Sequence, residues 1–186
     1  MRPDMRRPYW VCLLLAACSG PDADLRSPDP YERFLGVREL EGRRDAASLS
    51  EIVKRLEDPH YLVIAGAITT LAELGDKAFL QHLAPLVQHP HPIVRRRACE
   101  GIGRLGHPDG ATYLLKALED PDSQVRRGAV KGLAAFKDAP EARRGLAAAA
   151  GDKDPGVALV AHEALQEITG RTDVPRSREA WAEILK

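Results

Sequence analysis

A shift of 31 residues lays this chain onto itself. Val63, Val94 and Val125 fall in step, as do Gly36, Ala67, Ala98 and Ala129, and Leu40, Leu71, Ile102 and Leu133. A further copy, with Val157, Ala161 and Leu165, follows after a one-residue insertion. A period of this size fits one supersecondary unit, too small to bury its own apolar face, that becomes stable by stacking on its neighbours. The repeat therefore points to a solenoid, an architecture that supplies surface more readily than a catalytic cleft.

Each unit reads as a helical hairpin. Proline fixes φ and is tolerated at helix starts, so Asp58-Pro59, His89-Pro90, Asp120-Pro121 and Asp154-Pro155 each end one helix and open the next. In the second helix of each unit one stripe at helical spacing carries Val63, Ala67, Leu71 and Leu74, then Val94, Ala98, Ile102 and Leu105, then Val125, Ala129, Leu133 and Phe136. The first helices are expected to contribute Val53 and Leu56, Ala84 and Val87, Leu115 and Leu118, and Leu146 and Ala149. Alternating β-branched runs between hairpin turns are missing, which argues against strands. Gly101 and Gly132 share a repeat position beside the buried stripe, where close helix approach would offset their poor helix propensity. Gly103 is expected to point outward.

With the unit laid out, a family resemblance follows. Leu118-Glu119-Asp120-Pro121-Asp122-Ser123-Gln124-Val125-Arg126-Arg127-Gly128-Ala129 and Val94-Arg95-Arg96-Arg97-Ala98-Cys99-Glu100-Gly101-Ile102 resemble HEAT-like repeats of the phycobilisome-lyase type, over about residues 30 to 170. The resemblance implies an all-α, right-handed α-solenoid of about five HEAT-like hairpins. It also implies a ladder of charge pairs between stacked units, made by an Asp in the turn and an Arg six residues later. Asp120 and Arg126 match that pattern, and Arg95 keeps the base although His89 replaces its acid. Ile64 replaces the base after Asp58, and Asp154 has no following Arg, so one or two rungs are expected. The Tyr31 to Leu40 helix reads as a degenerate first repeat. Ile168-Thr169-Gly170 followed by Trp181 resembles the tail of bacterial arrays of this type, with Trp181 as a lid on the last core.

The N-terminus reads as an address. Arg2, Arg6 and Arg7 precede an apolar run from Tyr9 to Ala17, too short to span a bilayer, which takes about 20 helical residues. Leu15-Ala16-Ala17-Cys18 resembles the bacterial lipobox, which implies cleavage before Cys18 and acylation of its thiol; an ordinary cleavable signal is the alternative. The expected organisation is a signal over residues 1–17, a lipidated Cys18 and flexible tether over 18–30, and a repeat domain with its C-terminal cap over 31–186. That places the protein in the bacterial cell envelope, facing the periplasm or exterior.

Little in the sequence points to catalysis. Cys99 occupies the repeat position of Ile68 and Val130 and reads as a small buried hydrophobe. His89 and His91 sit in an inter-repeat turn, and their Pro neighbours leave no pair of imidazoles at the spacing zinc hydrolases use on a helix. No catalytic residue, metal site or cofactor is assigned. The bilin lyases that lend the repeat its name leave one alternative, an enzyme or accessory subunit of a lyase- or metal-dependent activity.

A binding surface is the better reading. After removal of residues 1–17 the chain holds 24 basic and 26 acidic residues, a balance that argues against general nucleic-acid binding. Placing Val94, Ala98 and Ile102 inward turns Arg96 and Glu100 fully outward, flanked by Arg97 and Arg104, and one period later Arg127 and Lys131 take the same face. Residues 92–105 carry four Arg and one Glu, whereas 155–168 carry a net charge of −2. The middle of the array should thus offer a positive groove to another protein or an acidic peptide.

Overall fold

In the computed structural model, residues 24–185 are described. The expected signal and lipidated Cys18 lie outside them. Ten α-helices and no strand occur among the described residues. They are α1 (Pro30–Glu39), α2 (Ala46–Lys54), α3 (Tyr61–Leu74), α4 (Leu80–Leu83), α5 (Pro92–Leu105), α6 (Gly110–Ala117), α7 (Ser123–Leu133), α8 (Pro140–Ala149), α9 (Pro155–Thr169) and α10 (Arg178–Ile184). Four hairpins, α2/α3, α4/α5, α6/α7 and α8/α9, stack in a right-handed solenoid between α1 and α10.

Local chemistry sets where the helices begin and end. Asp122 and Asp154 accept from the Gln124 and Gly156 N–H groups at 2.7 and 2.9 Å, satisfying first-turn donors of α7 and α9. His60 and His91 serve the same way through Nδ1, at 3.3 Å from the Leu62 and Ile93 N–H groups. At the far ends, Gly75 and Gly106 close α3 and α5 with φ of 70° and 58°, a region costly to a side chain. One period later the residue is Lys137, and there α7 ends in the 3-10 segment Ala134–Phe136 without a left-handed residue. In the second unit Pro85 limits α4 to one turn and the chain continues as the 3-10 segment Ala84–Gln88.

The stripe read from the second helices is the core: Val63, Val94, Val125 and Val157 are fully buried, as are Ala67, Ala98, Ala129 and Ala161. The first helices agree with expectation at Leu56, Ala84, Leu146 and Ala149 and differ by one position at Val53 and Leu115. Fully buried there are Ile52, Leu83, Leu114, Ala142 and Leu146, while Val53 and Leu115 are half-buried. The inserted residue lies in the turn before α8, so Leu146 aligns with Leu114 rather than Leu115. Leu25 plugs the open face before α1, and Trp181 closes the other end with its side chain wholly buried. The Trp181 Nε1–H donates to His162 Nδ1 at 2.9 Å, which satisfies the indole's one polar atom.

Gly103 does not point outward. A Cβ there would lie 2.3 Å from Gly132 Cα, so these glycines bring α5 and α7 into backbone contact. Gly132 itself faces the Cys99 carbonyl and Leu114, and Gly101 faces Leu83 and Ile68, consistent with tight approach at that repeat position.

Candidate partner-binding face

Three charge rungs tie the stack along its turns. Arg95 Nε and Nη2 donate to the two Asp120 carboxylate oxygens at 2.7 and 2.9 Å, while Nη1 donates to the His89 and Pro90 carbonyls at 3.0 Å each. Arg126 repeats this with Asp152 at 2.8 Å twice and with the Asp120 and Pro121 carbonyls. Arg33 does so with Asp58 and the Ser27 and Pro28 carbonyls. Each base thus braces its own turn and grips the acid of the next unit in a bidentate fork.

Where the sequence predicts one or two rungs and no base for Asp58, there are three, with Arg33 serving Asp58, and the pairing itself also differs. Asp120 is the acid partner of Arg95, and Arg126 takes Asp152 for its carboxylate while using only the Asp120 carbonyl. Asp154 is a helix cap; the rung acid of that unit is Asp152, at 32 residues from Asp120 because of the insertion. Burial pushes the Asp58, Asp120 and Asp152 carboxyls up, yet the guanidinium hydrogen bonds, a turn N–H on each and the arginine charge together hold all three below the usual carboxylate range.

The junction between α3 and α5 has no such rung. Ile64 stands where α1, α5 and α7 place Arg33, Arg95 and Arg126, and His89 stands at the position of Asp58, Asp120 and Asp152. His89 Nδ1 accepts the His91 N–H at 3.0 Å, which reproduces the acid's turn bond without its charge. Tyr61 stacks on His91 instead, with ring centroids 3.9 Å apart and planes within 7°.

The second helices expose one continuous face, and it carries the six residues named from sequence. Arg97, Glu100, Arg104 and Lys131 line a hollow of about 460 Å³. Much of this charge is spoken for: Arg97 pairs with Glu100 at 2.9 Å and Arg104 with Glu73 at 3.4 Å. A hydrogen bond with Glu41, partial burial and the Glu41 charge hold the Glu73 carboxyl above the usual range, against Arg38 and Arg104. Arg96 and Glu100 are half-buried rather than fully outward, because the Arg96 stem lies over Gly128, where a Cβ would meet its Cγ at 2.9 Å. Arg96, Arg127 and Lys131 remain as cations with no ion-pair partner among the described residues.

No cluster of three or more His, Cys, Asp or Glu able to hold a metal occurs among the described residues. Burial pushes the Cys99 thiol up to about 12, with the nearby Asp120 and Glu100 charges adding to it, so it stays protonated and inert. On the side away from these cations, a cleft of about 870 Å³ opens between Ala84–Gln88 and α6, lined by His89, Tyr113, Lys116 and Glu119 among others. His89 is already an acceptor for its own turn, and Arg95 beside it is fully engaged. No helix among the described residues is long and apolar enough to cross a membrane.

The stack of hairpins, the Asp/Arg forks and the repeat stripe define a HEAT-type helical solenoid. A family model for HEAT repeats matches residues 23–91 and 82–166, and the chain belongs to the HEAT-repeat family. Sequence comparison with curated proteins returns no match. Among solved structures, the complex of CpcE and CpcF of phycocyanin lyase from Nostoc sp. PCC7120 superposes with a TM-score of 0.68 at 18% identity, covering 98% of this chain and 71% of that one. A designed armadillo repeat protein gives 0.57 at 19% identity over 89% of this chain and 99% of the other. A second designed armadillo protein, in complex with the peptide (KR)4, gives 0.55 at 20% identity over the same shares. At these identities the likeness is one of fold.

Proposed function

We propose that the chain is a non-catalytic interaction scaffold, tethered to a membrane of the bacterial cell envelope through a lipidated Cys18, whose second-helix face binds an acidic segment of another protein. The observation that carries the partner reading is the trio Arg96, Arg127 and Lys131, left without counter-charges on a face whose other arginines are paired. An anionic partner would supply the missing charges and be steered toward them at low ionic strength. The designed armadillo protein that holds (KR)4 supports the idea that such stacks accept charged peptides; here the sign is reversed. The tether reading rests on the Leu15-Ala16-Ala17-Cys18 sequence.

The test is capture of envelope proteins by in-cell crosslinking, comparing the native chain with Arg96→Glu, Arg127→Glu and Lys131→Glu combined. Loss of specific partners is expected; an unchanged set overturns the partner reading. Metabolic labelling with a radioactive fatty acid, lost in Cys18→Ser, tests the anchor separately.

A further inference from the structure

The large hydrophobic side chains that stand exposed among the described residues are Tyr31, Leu35, Leu62 and Leu159. All four lie on second helices or on α1, which stacks as one: Tyr31 and Leu35 on α1, Leu62 on α3 and Leu159 on α9. None comes from the first helices. Tyr31, at 59% exposure, and Leu62, at 37%, are one period apart, and the next residue in that row is the half-buried Ile93. The row turns polar one unit later at Gln124. Where it fades, the unpaired cations begin: Arg96 follows Ile93 on α5, and Arg127 and Lys131 follow Gln124 on α7. Along the rows of Tyr31 and Phe34 the face is therefore bipartite, apolar at Tyr31, Leu62, Phe34 and Ala65 on α1 and α3 and cationic at Arg96 and Arg127 on α5 and α7, with Leu159 the next residue of that second row on α9.

Two further details show that this division is built in. Gly66 on α3 leaves room for the Phe34 ring, which a Cβ would meet at 2.8 Å, so Phe34 packs onto α3 beside Leu35. Gly128 on α7 lets the Arg96 stem lie against that helix, where a Cβ would meet its Cγ at 2.9 Å. Both glycines sit at the same repeat position, two periods apart, and each costs about 1 kcal/mol of helix propensity relative to Ala.

We infer that this face binds one extended segment of another protein in a fixed register, with apolar anchor residues over Tyr31, Leu35 and Leu62 and a following acidic block over Arg96, Arg127 and Lys131. The inference rests on the partner reading above and sharpens it from charge alone to an ordered pattern. Neighbouring helices pack about 8–10 Å apart, so α1 to α7 spans roughly 24–30 Å, or about seven to nine residues at ~3.3 Å each. Desolvating the anchors against Tyr31 and Leu62 provides affinity, and the charge block fixes direction.

The test uses the full chain in detergent and a fluorescein-labelled decapeptide with Leu and Phe in its first half and four Glu in its second. Fluorescence anisotropy compares it with a peptide of the same composition whose apolar and acidic residues alternate. The block peptide is expected to bind at least about tenfold more tightly, with Leu62→Asp and the pair Arg127→Glu/Lys131→Glu each weakening it by about tenfold or more. The block peptide with Lys in place of Glu should prefer the charge-reversed pair, which separates recognition from a folding defect. Equal affinity for the alternating peptide overturns the fixed register while leaving the acidic-partner reading standing, since charge reversal would still abolish binding. Failure of both peptides, with phosphatidylglycerol vesicles captured through Tyr31 and Leu62 instead, overturns the inference in favour of a lipid surface. Failure of both peptides with no vesicle capture overturns it as well, leaving the crosslinking comparison to decide the partner reading.

Discussion

The junctions on either side of α5 use the same repeat positions and hold together differently. Toward α7, Arg95 forks onto Asp120 and the helix backbones meet at Gly103 and Gly132. Toward α3, the corresponding positions are Ile64 with His89 for the fork, and Ala72 with Gly101 for the close approach. There the Cβ of Ala72 is accommodated, 3.5 Å from where a Cβ on Gly101 would lie. One junction is set by a buried bidentate fork and backbone contact, the other by apolar packing, the Tyr61/His91 stack and the more exposed Arg104–Glu73 pair. Both bury the same Val, Ala and Leu or Ile stripe, so the stripe provides adhesion and the variable positions fix geometry. A solenoid whose neighbour interactions add almost independently can vary one junction without recasting the rest.

The largest effect should come from breaking a fork on one side only. Arg126→Met leaves the Asp152 carboxylate, whose side chain is 11% exposed, without its bidentate partner and frees the Asp120 and Pro121 carbonyls. A loss of about 3 kcal/mol in urea unfolding is expected, because removing one partner strands the other. His89→Ala, at the fork position of the neighbouring junction, forfeits a single neutral turn bond and should cost only about 1 kcal/mol. Equal losses would show that the forks contribute nothing beyond their turn bonds.

The glycine contact sets the next contrast. Gly103→Ala gains helix propensity but drives a methyl into the Gly132 backbone, and overpacking of this kind costs about 1–3 kcal/mol. Ala72→Gly, the reciprocal change at the other junction, loses about 1–2 kcal/mol through helix propensity and one buried methyl, with no clash. Thermal melts of the two variants check the ordering: a Gly103→Ala protein as stable as the native chain would mean that α5 and α7 can separate at little cost.

Acid reads the same difference more gently. The folded Asp58, Asp120 and Asp152 carboxyls titrate below their unfolded values, so the stability they contribute is present above about pH 4 and is lost as the pH falls through the folded values. Urea midpoints should therefore hold steady down to about pH 4 and drop below it, and Arg126→Met should flatten that drop. A native chain with no acid-sensitive loss would contradict the fork geometry.

How much of this was legible in the sequence follows from what a repeat does and does not encode. Val94, Ala98 and Ile102 announced the buried stripe because identical environments select the same residues one period apart. The forks were harder to read, since each joins an Arg to an acid 25 or 26 residues later rather than to the Asp six before it. The single insertion then hid Asp152 behind Asp154. Gly103 was misread because outward and neighbour-facing positions share one helical phase, and only the α5/α7 separation tells them apart. On the second-helix face, the net charge of residues 92–105 overstated the free cations, because Glu100 and Glu73 answer Arg97 and Arg104. No periodicity signals Tyr61 on His91 or Trp181 on His162, each of which occurs once.

The smallest net effect, and the most informative, is conversion of one junction into the other. Ile64→Arg alone places a guanidinium beside His89 with no carboxylate to meet, at a side chain that is 4% exposed, and should be destabilising. His89→Asp alone keeps an acceptor for the His91 N–H but leaves its charge unanswered. Together they recreate the fork of Arg95 and Asp120, including turn carbonyls at the positions that Arg95 uses. The double variant should fall within about 1 kcal/mol of the native chain, since a well-packed apolar side chain and a formed ion pair are near equivalents, while the coupling between the two changes should exceed about 1 kcal/mol. A double-mutant cycle in urea measures both quantities. Additive losses would mean that Ile64 packs in a geometry the fork cannot enter, and that the junctions differ in backbone spacing as well as in chemistry.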